Sequence, residues 1–519
     1  MSQTNNPSHP KGLYVLFATE MWERYNYYGM RAILVLFMTK ALLFSKEFSS
    51  HLYGGYTSLI YLSPLIGGFI ADRFWGNQRS IITGGLIMAL GEFVLFFCGS
   101  TYADNPELSQ LLFFSGLGFM IAGNGFFKPN ISALVGQLYP KGDTRIDAAY
   151  TIFYMGINVG GALGPFICGL VGDTGNPADF KWAFLAGGIG MLISVAIQMM
   201  YHRKFVKDPD GNTLGLEPTN SQPVSRNPVI MTLGMLALTM VSTGMLYLDS
   251  GLASINHVGF TIYGIEIGTA LFTNLVFLLV ASIAIIAFII FTDKSLSKIE
   301  KSKVMVIFTV SFFVIFFWSA FEQAGASLTF FADEQTQRNL GFFVVPASFF
   351  QSLNSVFVVG FAPLLAWLWV RLGKHDPSSP TKMALGLFLL ALGYLWIAFG
   401  VKDVQPGIKV SMIWLLGMYA LHTLGELCLS PIGLSLVNKL APLKFASMLM
   451  AVWFTANAFA NYLAGAMSKL YPEVGKSKEI LGFGIENNFD FFIMFVVMSG
   501  AASLILFFLS KKLQSLMKQ

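Results

Sequence analysis

Long apolar segments recur along the whole chain and constrain its fold more than any other feature. Fourteen of them in the 519 residues come near or exceed the roughly 20 residues that an α-helix needs to cross a bilayer. Strands of a membrane barrel need only about 9–11 residues each, so these lengths predict helices. The predicted spans are 13–43, 52–71, 80–100, 108–138, 148–172, 182–201, 227–248, 267–292, 304–332, 339–370, 383–401, 410–438, 445–468 and 491–510. We therefore expect an all-α membrane protein with fourteen transmembrane helices.

The composition and the loop charges agree with this fold class. Hydrophobic residues make up 55% of the chain and charged residues 12%, whereas a soluble domain carries about 25% charged residues. If the N-terminus is cytoplasmic, the inner loops and tails hold 21 Lys and Arg, and the outer loops, with Lys40 at the outer end of the first span counted among them, hold 9. This asymmetry follows the positive-inside rule and predicts that both termini are cytoplasmic. The net charge of +5 is then a consequence of topology, and no nucleic-acid partner is needed to explain it.

Two related segments indicate an internal repeat. Residues 68–79, between spans two and three, are similar to residues 368–374, about 300 residues later. Transporters are often built from repeated halves that hold the substrate between them. We predict an N-terminal six-helix bundle at 1–201, a linker with two extra transmembrane helices at 202–302, and a C-terminal six-helix bundle at 303–519. The first segment resembles the loop signature of the major facilitator superfamily, and we expect Asp72 and Arg73 to join an ion network there.

Small residues predict a close helix contact in the fifth span. Gly156, Gly160 and Gly164 recur every four residues, a spacing that lets helix backbones approach each other. We expect this face to pack within the molecule rather than to form a dimer, although an oligomer stays open.

Ionisable residues inside the spans are the candidates for function. Each costs about 2.5–3.5 kcal/mol at a helix centre on insertion scales, so such residues should face a polar cavity and pair with one another. Five side chains of the first span, at positions 20, 23, 24, 27 and 31, share one helix face. Glu92 has no evident partner, and His422 is expected to be a hydrogen-bonded bystander. Eight charged residues lie well inside the spans: Glu20, Glu23, Arg24, Arg31, Glu92, Lys128, Glu322 and Glu426.

Depth along the helices predicts how the charges pair. Arg31 and Glu322 each lie 18 residues from the inner end of their predicted spans, which places both roughly 27 Å towards the outer side. Lys128 and Glu426 lie 20 and 16 residues from their outer ends, at similar depths. The pairs Arg31–Glu322 and Lys128–Glu426 would each join one half to the other, as two alternating gates require.

The charged face of the first helix resembles a signature of the proton-dependent oligopeptide transporter (POT, or PTR) family. Residues 20–31, EMWERYNYYGMR, contain its E-x-x-E-R motif, and Phe153-Tyr154-x-x-Ile157-Asn158-x-Gly160 is similar to its second signature. Further matches are FKPN at 127–130, FEQ at 321–323, QSLN at 351–354 and GELCLSP at 425–431. The resemblance covers essentially the whole chain, and the fourteen-helix arrangement points to the bacterial members.

This resemblance implies the major facilitator superfamily fold and a proton-coupled symporter that imports di- and tripeptides by alternating access across the bacterial inner membrane. It implies a substrate-binding set of Arg24, Tyr27, Tyr61, Lys128, Asn158, Asn354, Glu426, Ser430 and Trp453. Within that set, Arg24 and Lys128 would meet the peptide carboxylate, the amino terminus would meet Glu426, Asn158 and Asn354, and the three aromatic residues would line side-chain pockets. It also implies a proton-coupling set of Glu20, Glu23, Arg24 and Glu322, with Arg31–Glu322 as the outer gate and Lys128–Glu426 as the inner gate.

The chain departs from the family at one informative position. The histidine that is common in the second helix of animal members falls at Gly54, so coupling through it is not expected. His51, three positions earlier, is expected at the outer mouth.

The remaining classes of function are disfavoured. No GxxxxGK[ST] segment is present, so we expect no nucleotide, and with no cofactor or metal the energy would come from the proton gradient. An alternative is a transporter of another small anionic solute, such as nitrate, although a lone anion has no use for the Glu426 carboxylate. A channel would show pore loops or rings of like charge, and an enzyme would show a catalytic cluster in the spans.

Overall fold

The structure is a computed structural model, and it is mostly helical. It describes residues 8–140, 142–217, 228–250, 260–262, 265–267, 275–404, 407–473, 475–480 and 482–518. The α-helices of these ranges are α1 (Lys11–Lys40), α2 (Lys46–Ile70), α3 (Asn77–Thr101), α4 (Pro106–Gln137), α5 (Ile146–Gly172), α6 (Phe180–Phe205), α7 (Pro228–Asp249), α8 (Leu275–Thr292), α9 (Lys298–Phe321), α10 (Ser327–Glu334), α11 (Phe349–Leu372), α12 (Ser379–Val401), α13 (Ile413–Leu440), α14 (Ala446–Ser468) and α15 (Asn488–Lys518).

The long helices confirm the predicted fold class. Within the described ranges, every α-helix except the eight-residue α10 has at least 18 residues, and each long helix overlaps one of the fourteen predicted spans. Ten elements among the described residues are long and apolar enough to cross a membrane. Helix α1 is not among them, because Glu20, Glu23, Arg24 and Arg31 interrupt its apolar sequence.

Several predicted boundaries are wrong, including the end of the span 491–510, because α15 continues to Lys518. The span 304–332 is two helices, α9 and α10, and α9 already begins at Lys298. Residues 339–348 precede α11 and are not helical. The span 267–292 becomes helical only at Leu275 among its described residues, and its first residue, Ile267, belongs to a strand.

Short strands in the loops account for part of these differences. Strands β1 (Phe260–Ile262) and β2 (Ile265–Ile267) pair antiparallel, with Phe260 opposite Ile267. Strand β3 (Thr336–Gln337) pairs parallel with β4 (Val410–Ser411). Strands β5 (Lys478–Ile480) and β6 (Phe483–Ile485) form a second antiparallel pair. These pairings satisfy backbone groups that the helices leave open.

The chain forms two compact units. The first contains residues 1–33 and 63–243, and the second contains residues 34–62 and 244–519. The divisions fall inside α1, α2 and α7. The three-part division predicted from the repeat, at 1–201, 202–302 and 303–519, stays a prediction.

Within the first unit, the glycine face of α5 packs inside the molecule, as predicted, and its partner is α1. A Cβ atom on Gly160 would lie only 2.9 Å from the Arg24 Cβ and 2.9 Å from the Tyr25 backbone nitrogen. A Cβ atom on Gly164 would lie 2.8 Å from the Gly29 nitrogen. Any larger residue would separate the two backbones, so these glycines set how closely α1 and α5 approach.

The segment after α6 folds back against the first turn of α3. His202 Nε2 lies 3.0 Å from the Leu214 carbonyl, and Gln78 N donates to Gly215 O over 2.9 Å. Arg79 forms an ion pair with Glu217. In the described part of the chain neither Asp72 nor Arg73 has an ion pair, so the expected network at those two residues is replaced by the Arg79 contact.

In the second unit, the helix preceding Glu322 breaks at that residue. α9 ends at Phe321, and residues Glu322–Gly325 form one turn of 3₁₀ helix before α10. The carbonyls freed by the break are satisfied: Tyr394 OH donates to Ala320 O over 2.6 Å, and Gln323 Nε2 donates to Ser319 O over 3.0 Å. Broken helices are tolerated at membrane depth where side chains supply such partners.

Candidate functional site

Three buried charges of α1 form the centre of the first unit's site. Arg24 Nε lies 3.1 Å from Glu20 Oε1 and 2.5 Å from Glu23 Oε2. All three side chains are at most 4% exposed. Both glutamates contact the same atom of the guanidinium group, Nε. Arg24 Nη2 has no hydrogen-bond partner among the described residues. One donor of the arginine fork is therefore buried without a hydrogen bond.

Aromatic rings hold the two arginines of α1 on the same face. The Arg24 guanidinium carbon lies 5.3 Å from the Tyr27 ring centre and 6.0 Å from the Tyr28 ring centre. The Arg31 guanidinium carbon lies 5.4 Å from the same Tyr28 ring centre. These are cation–π distances, and they confirm that the charged and aromatic positions of α1 share one face.

Helix α4 contributes two polar groups to this cluster. Lys128 interacts electrostatically with Glu20, and Asn124 Nδ2 donates to Glu23 Oε1 over 3.3 Å. The sequence analysis missed Asn124, although it lies one helical turn before Lys128 and therefore on the same face of α4. The cluster combines two cations with two carboxylates, which leaves it able to accept one anionic group or one proton without a large net charge.

Asn158 lies apart from this hydrogen-bonded cluster. It is 5% exposed, and its side-chain amide donates to Tyr154 O of its own helix over 2.9 Å. This intrahelical bond leaves the role implied for Asn158, at a peptide amino terminus, as a prediction.

In the second unit, the buried Glu426 carboxylate accepts a hydrogen bond from Asn354, another residue of the predicted set. Asn354 Nδ2, on α11, donates to Glu426 Oε2 on α13 over 2.7 Å and to Thr423 Oγ1 over 3.2 Å. Glu426 is 9% exposed. The structure thus brings together Asn354 and Glu426, two residues that the family resemblance assigned to the peptide amino terminus. Thr423, one turn earlier on α13, was missed.

The other predicted residues of the second unit occupy separate positions. Glu322 is 3% exposed at the break after α9. Trp453, on α14, is 7% exposed and packs so tightly on Gly433 of α13 that no side chain would fit there. Tyr61 of α2 and Ser430 of α13 are partly exposed. The two gate pairs, Arg31–Glu322 and Lys128–Glu426, each join residues of different units and stay predictions.

Two ion pairs in the second unit join the end of α1 and the start of α2 to α10. Lys40 Nζ lies 2.8 Å from Asp333 Oδ1, and Lys46 Nζ lies 2.6 Å from Glu334 Oε1. These ends are the ones that the sequence predicts to face outward. The four charged residues lie in loops or at helix ends, where sequence spacing carries no pairing signal.

Gly54 explains the missing second-helix histidine. A Cβ atom on Gly54 of α2 would lie 2.8 Å from the Gly465 Cα and 3.0 Å from the Tyr462 carbonyl oxygen, both on α14. The two helices touch backbone to backbone at this point, so a histidine side chain has no room. One turn away, Ser50 Oγ and Ser468 Oγ are 3.0 Å apart.

The extra helix α7 ends in a polar contact with the same pair of helices. Asp249 Oδ2 lies 3.3 Å from His51 Nε2, and Tyr462 OH donates to Asp249 Oδ1 over 3.3 Å. The Leu275 backbone nitrogen, at the start of α8, donates to the same carboxylate oxygen over 3.2 Å. His51 is therefore a docking residue for the extra helical pair, which the sequence did not indicate.

Glu92 has a partner after all. Asn26 Nδ2 donates to Glu92 Oε1 over 2.8 Å, and both side chains are fully buried. His422 packs with the Tyr394 ring at 4.7 Å and with the Phe321 ring at 6.3 Å. Its Nε2 has no hydrogen-bond partner among the described residues, and the role expected for it, a hydrogen-bonded bystander, stays a prediction. Among the described residues there is no group of three or more His, Cys, Asp or Glu side chains that could hold a metal ion.

Comparisons with known proteins agree with these features. A family model described as PTR2, the POT family, matches residues 78–483. The uncharacterized transporter YclF of Bacillus subtilis (strain 168) is 36% identical over 473 residues, covering 90% of this chain and 89% of the relative. The di-/tripeptide transporter of Lactococcus lactis subsp. cremoris is 32% identical over 477 residues, covering 89% and 90%.

A solved structure extends the match to the fold. A POT family transporter crystallised with 5-aminolevulinic acid superimposes with a TM-score of 0.79 at 30% identity, covering 99% of both chains. Likeness of sequence and of fold thus runs through nearly the entire length. The chain therefore belongs to the POT family and is a multi-pass membrane transporter with the major facilitator superfamily fold.

Proposed function

We propose that this protein is a proton-coupled symporter that imports di- and tripeptides by alternating access. The observation that carries the proposal is the Arg24 cluster, where a buried guanidinium bound by two glutamates keeps Nη2 without a partner. The Nη2 group can donate a hydrogen bond to a carboxylate, and the adjacent glutamates can take up protons. The named substrates of the Lactococcus lactis relative are di- and tripeptides.

A zwitterionic substrate suits the two charged groups. A peptide carboxylate would bind Arg24 and Lys128, and its amino group would bind Glu426, which Asn354 already orients. Tyr27, Tyr61, Asn158, Ser430 and Trp453 complete the proposed binding set. Because the specific contacts are made to the two termini, the peptide side chains need only loose pockets, and broad specificity follows.

Proton movement would drive the cycle. A proton that enters the cell gains about 2.3 kcal/mol per 100 mV of membrane potential. In the proposed cycle, protonation of Glu322 from outside weakens its attraction for Arg31 and opens the outer gate. Loss of the proton to the cytoplasm separates Lys128 from Glu426 and releases the peptide. The change of charge at Glu322 would be coupled to the substrate site through Glu20, Glu23 and Arg24.

The placement in the cell belongs to the same proposal. We place the protein in the bacterial inner membrane with both termini cytoplasmic, because the basic loops then face inward. Its partners would be peptides, protons and the bilayer, without a nucleotide, nucleic acid or cofactor. The oligomeric state is left open.

Reconstituted protein tests the proposal directly. Purified protein in liposomes should accumulate labelled dialanine when the outside is acidic and should not accumulate nitrate. Glu322→Gln should abolish this proton-driven accumulation, because the amide cannot carry the proton, yet it should keep peptide counterflow, which needs no net proton movement. The matched control is Glu107→Gln at an exposed position in the first turn of α4, which should accumulate like the wild type.

Two outcomes would contradict the proposal. Accumulation of nitrate but not dialanine by the wild type would favour the anion-transporter alternative. Wild-type accumulation by the Glu322→Gln variant would remove the coupling role of Glu322 while leaving peptide transport intact.

A further inference from the structure

Glu92 is a buried acid that the proposed transport cycle does not use. It lies near the middle of α3 and is fully buried. The space for its carboxyl group is provided by α6, because a Cβ atom on Gly187 would lie 3.0 Å from Glu92 Oε1. A Cβ atom on Gly188 would lie 3.2 Å from the Glu92 Cβ. The glycines of α6 thus form a pocket fitted to this side chain.

Among the described residues, no positively charged side chain contacts Glu92. The groups that face it are Asn26 and Tyr25 from α1, Cys168 from α5, and the glycines of α6. Tyrosine and cysteine have ordinary pKa values of about 10 and about 8.5, so both are neutral at physiological pH. No ion pair joins Glu92 to a Lys or Arg within the described part of the chain. An ionised carboxylate buried without a cation is strongly disfavoured.

The hydrogen bonds point to the same protonation state. Asn26 Nδ2 donates to Glu92 Oε1, but Glu92 Oε2 and Asn26 Oδ1 have no partner among the described residues. Both orphaned atoms are acceptors when the carboxyl group is ionised, and a buried acceptor without a donor costs about 1–3 kcal/mol. A single proton on Glu92 turns Oε2 into a donor. The protonated Oε2 can then donate to Asn26 Oδ1, while Asn26 Nδ2 donates to Glu92 Oε1.

We propose that Glu92 is held as the neutral acid in a reciprocal pair with the Asn26 amide, and that this pair is a positioning device for Arg24. Asn26 is two residues after Arg24, so the two side chains leave α1 about 200° apart. With Asn26 held by α3, rotation of α1 is restricted and Arg24 is kept on the face that carries Glu20 and Tyr27. Glu92 itself touches no substrate. The proposal deepens the proposed function, on which its transport readouts rest.

Conservative and disruptive variants of Glu92 and Asn26 distinguish the positioning of Arg24 from a role in packing alone. Glu92→Gln keeps an acceptor and a donor on one planar group, so it should transport dialanine with a half-saturation constant within about twofold of wild type and an unchanged pH profile. Glu92→Ala and Asn26→Ala should each raise that constant about tenfold or more, because Arg24 is no longer held. The double variant should be no worse than either single variant, as expected for two members of one pair.

An infrared measurement tests the protonation state without any substrate. Wild-type protein should show the carbonyl stretch of a protonated carboxylic acid that persists between about pH 6 and about pH 8 and is absent in Glu92→Gln. The Glu107→Gln variant serves as the matched control and should keep the band. Because this readout is independent of transport, it stands even if the transported solute is not a peptide.

Three results would overturn the inference. One is a band that titrates away across this pH range, and another is a Glu92→Gln variant as impaired as Glu92→Ala. The third is a shifted pH profile in Glu92→Gln, which would make Glu92 a proton carrier rather than a neutral positioning residue. If the alanine variants fail to fold, the infrared band and the glutamine variant still decide the question.

Discussion

Replacing Arg24 by lysine keeps the positive charge near Glu20 and Glu23 but removes the planar fork of the guanidinium. In the structure both glutamates contact Arg24 Nε, and Arg24 Nη2 has no hydrogen-bond partner among the described residues. Lysine offers one compact ammonium in place of that fork. A lysine ammonium that pairs with both glutamates therefore has fewer N–H donors left for a substrate carboxylate than the guanidinium of Arg24 has.

The size of the effect follows from the hydrogen bond at stake. A hydrogen bond to a charged group contributes about 1.5–3 kcal/mol. Since about 1.4 kcal/mol corresponds to a factor of ten in an equilibrium constant, Arg24→Lys should weaken dialanine binding about 10- to 150-fold. Because the charge is kept, the protein should still fold and insert.

A substrate without its carboxylate identifies the interaction that is lost. Binding of dialanine and of dialanine amide would be measured by calorimetry on the purified wild type and on Arg24→Lys. The variant should lose affinity for dialanine, whereas the already weak binding of the amide should change by less than about threefold. The matched control is Arg145→Lys in the loop before α5, where Arg145 pairs with Asp143 and the substrate site is not involved. An equal loss for both ligands would refute the assignment of Arg24 to the peptide carboxylate.

Two further predictions concern packing. Gly160→Val should lower the free energy of unfolding by about 1–3 kcal/mol, because its side chain meets the backbone of α1 beside Arg24. Thermal unfolding in detergent would measure this against Gly234→Val, where nothing lies within 4 Å, and equal losses would contradict the close contact. Asp249→Ala should cost about 1.5–3 kcal/mol by removing the acceptor of Tyr462 and Leu275. The exposed-loop control Asp104→Ala should have almost no effect, and an unchanged Asp249→Ala would exclude the docking role.

Local patterns in the sequence were sufficient for the helices and for one face of the site. Helix length and apolarity depend on neighbouring residues, so the fourteen long helices could be placed to within a few residues in most cases. The face of α1 that carries Arg24, Tyr27 and Arg31 follows from the helical repeat alone. The small-residue spacing of α5 likewise predicted a close approach within the molecule, and the structure shows α1 as its partner.

Partners on other helices could not be derived in the same way. Asn26 and Glu92 are 66 residues apart, and nothing in either local sequence specifies which helix faces which. The same holds for Asn124 with Glu23 and for Asp249 with His51. The break at Glu322 was also missed, because the apolar sequence continues through it and only side chains such as Tyr394 make the turn stable.

The sequence by itself determined that the chain is a helical membrane protein of the POT family, since burial in lipid imposes length, apolarity and loop charge on each segment separately. Tertiary structure alone decided which buried polar groups meet and which of their atoms keep no partner. The physical reason is that a hydrogen bond or an ion pair acts over about 3 Å. Whether two side chains reach that distance depends on the rotation and approach of whole helices, and no stretch of sequence encodes those by itself.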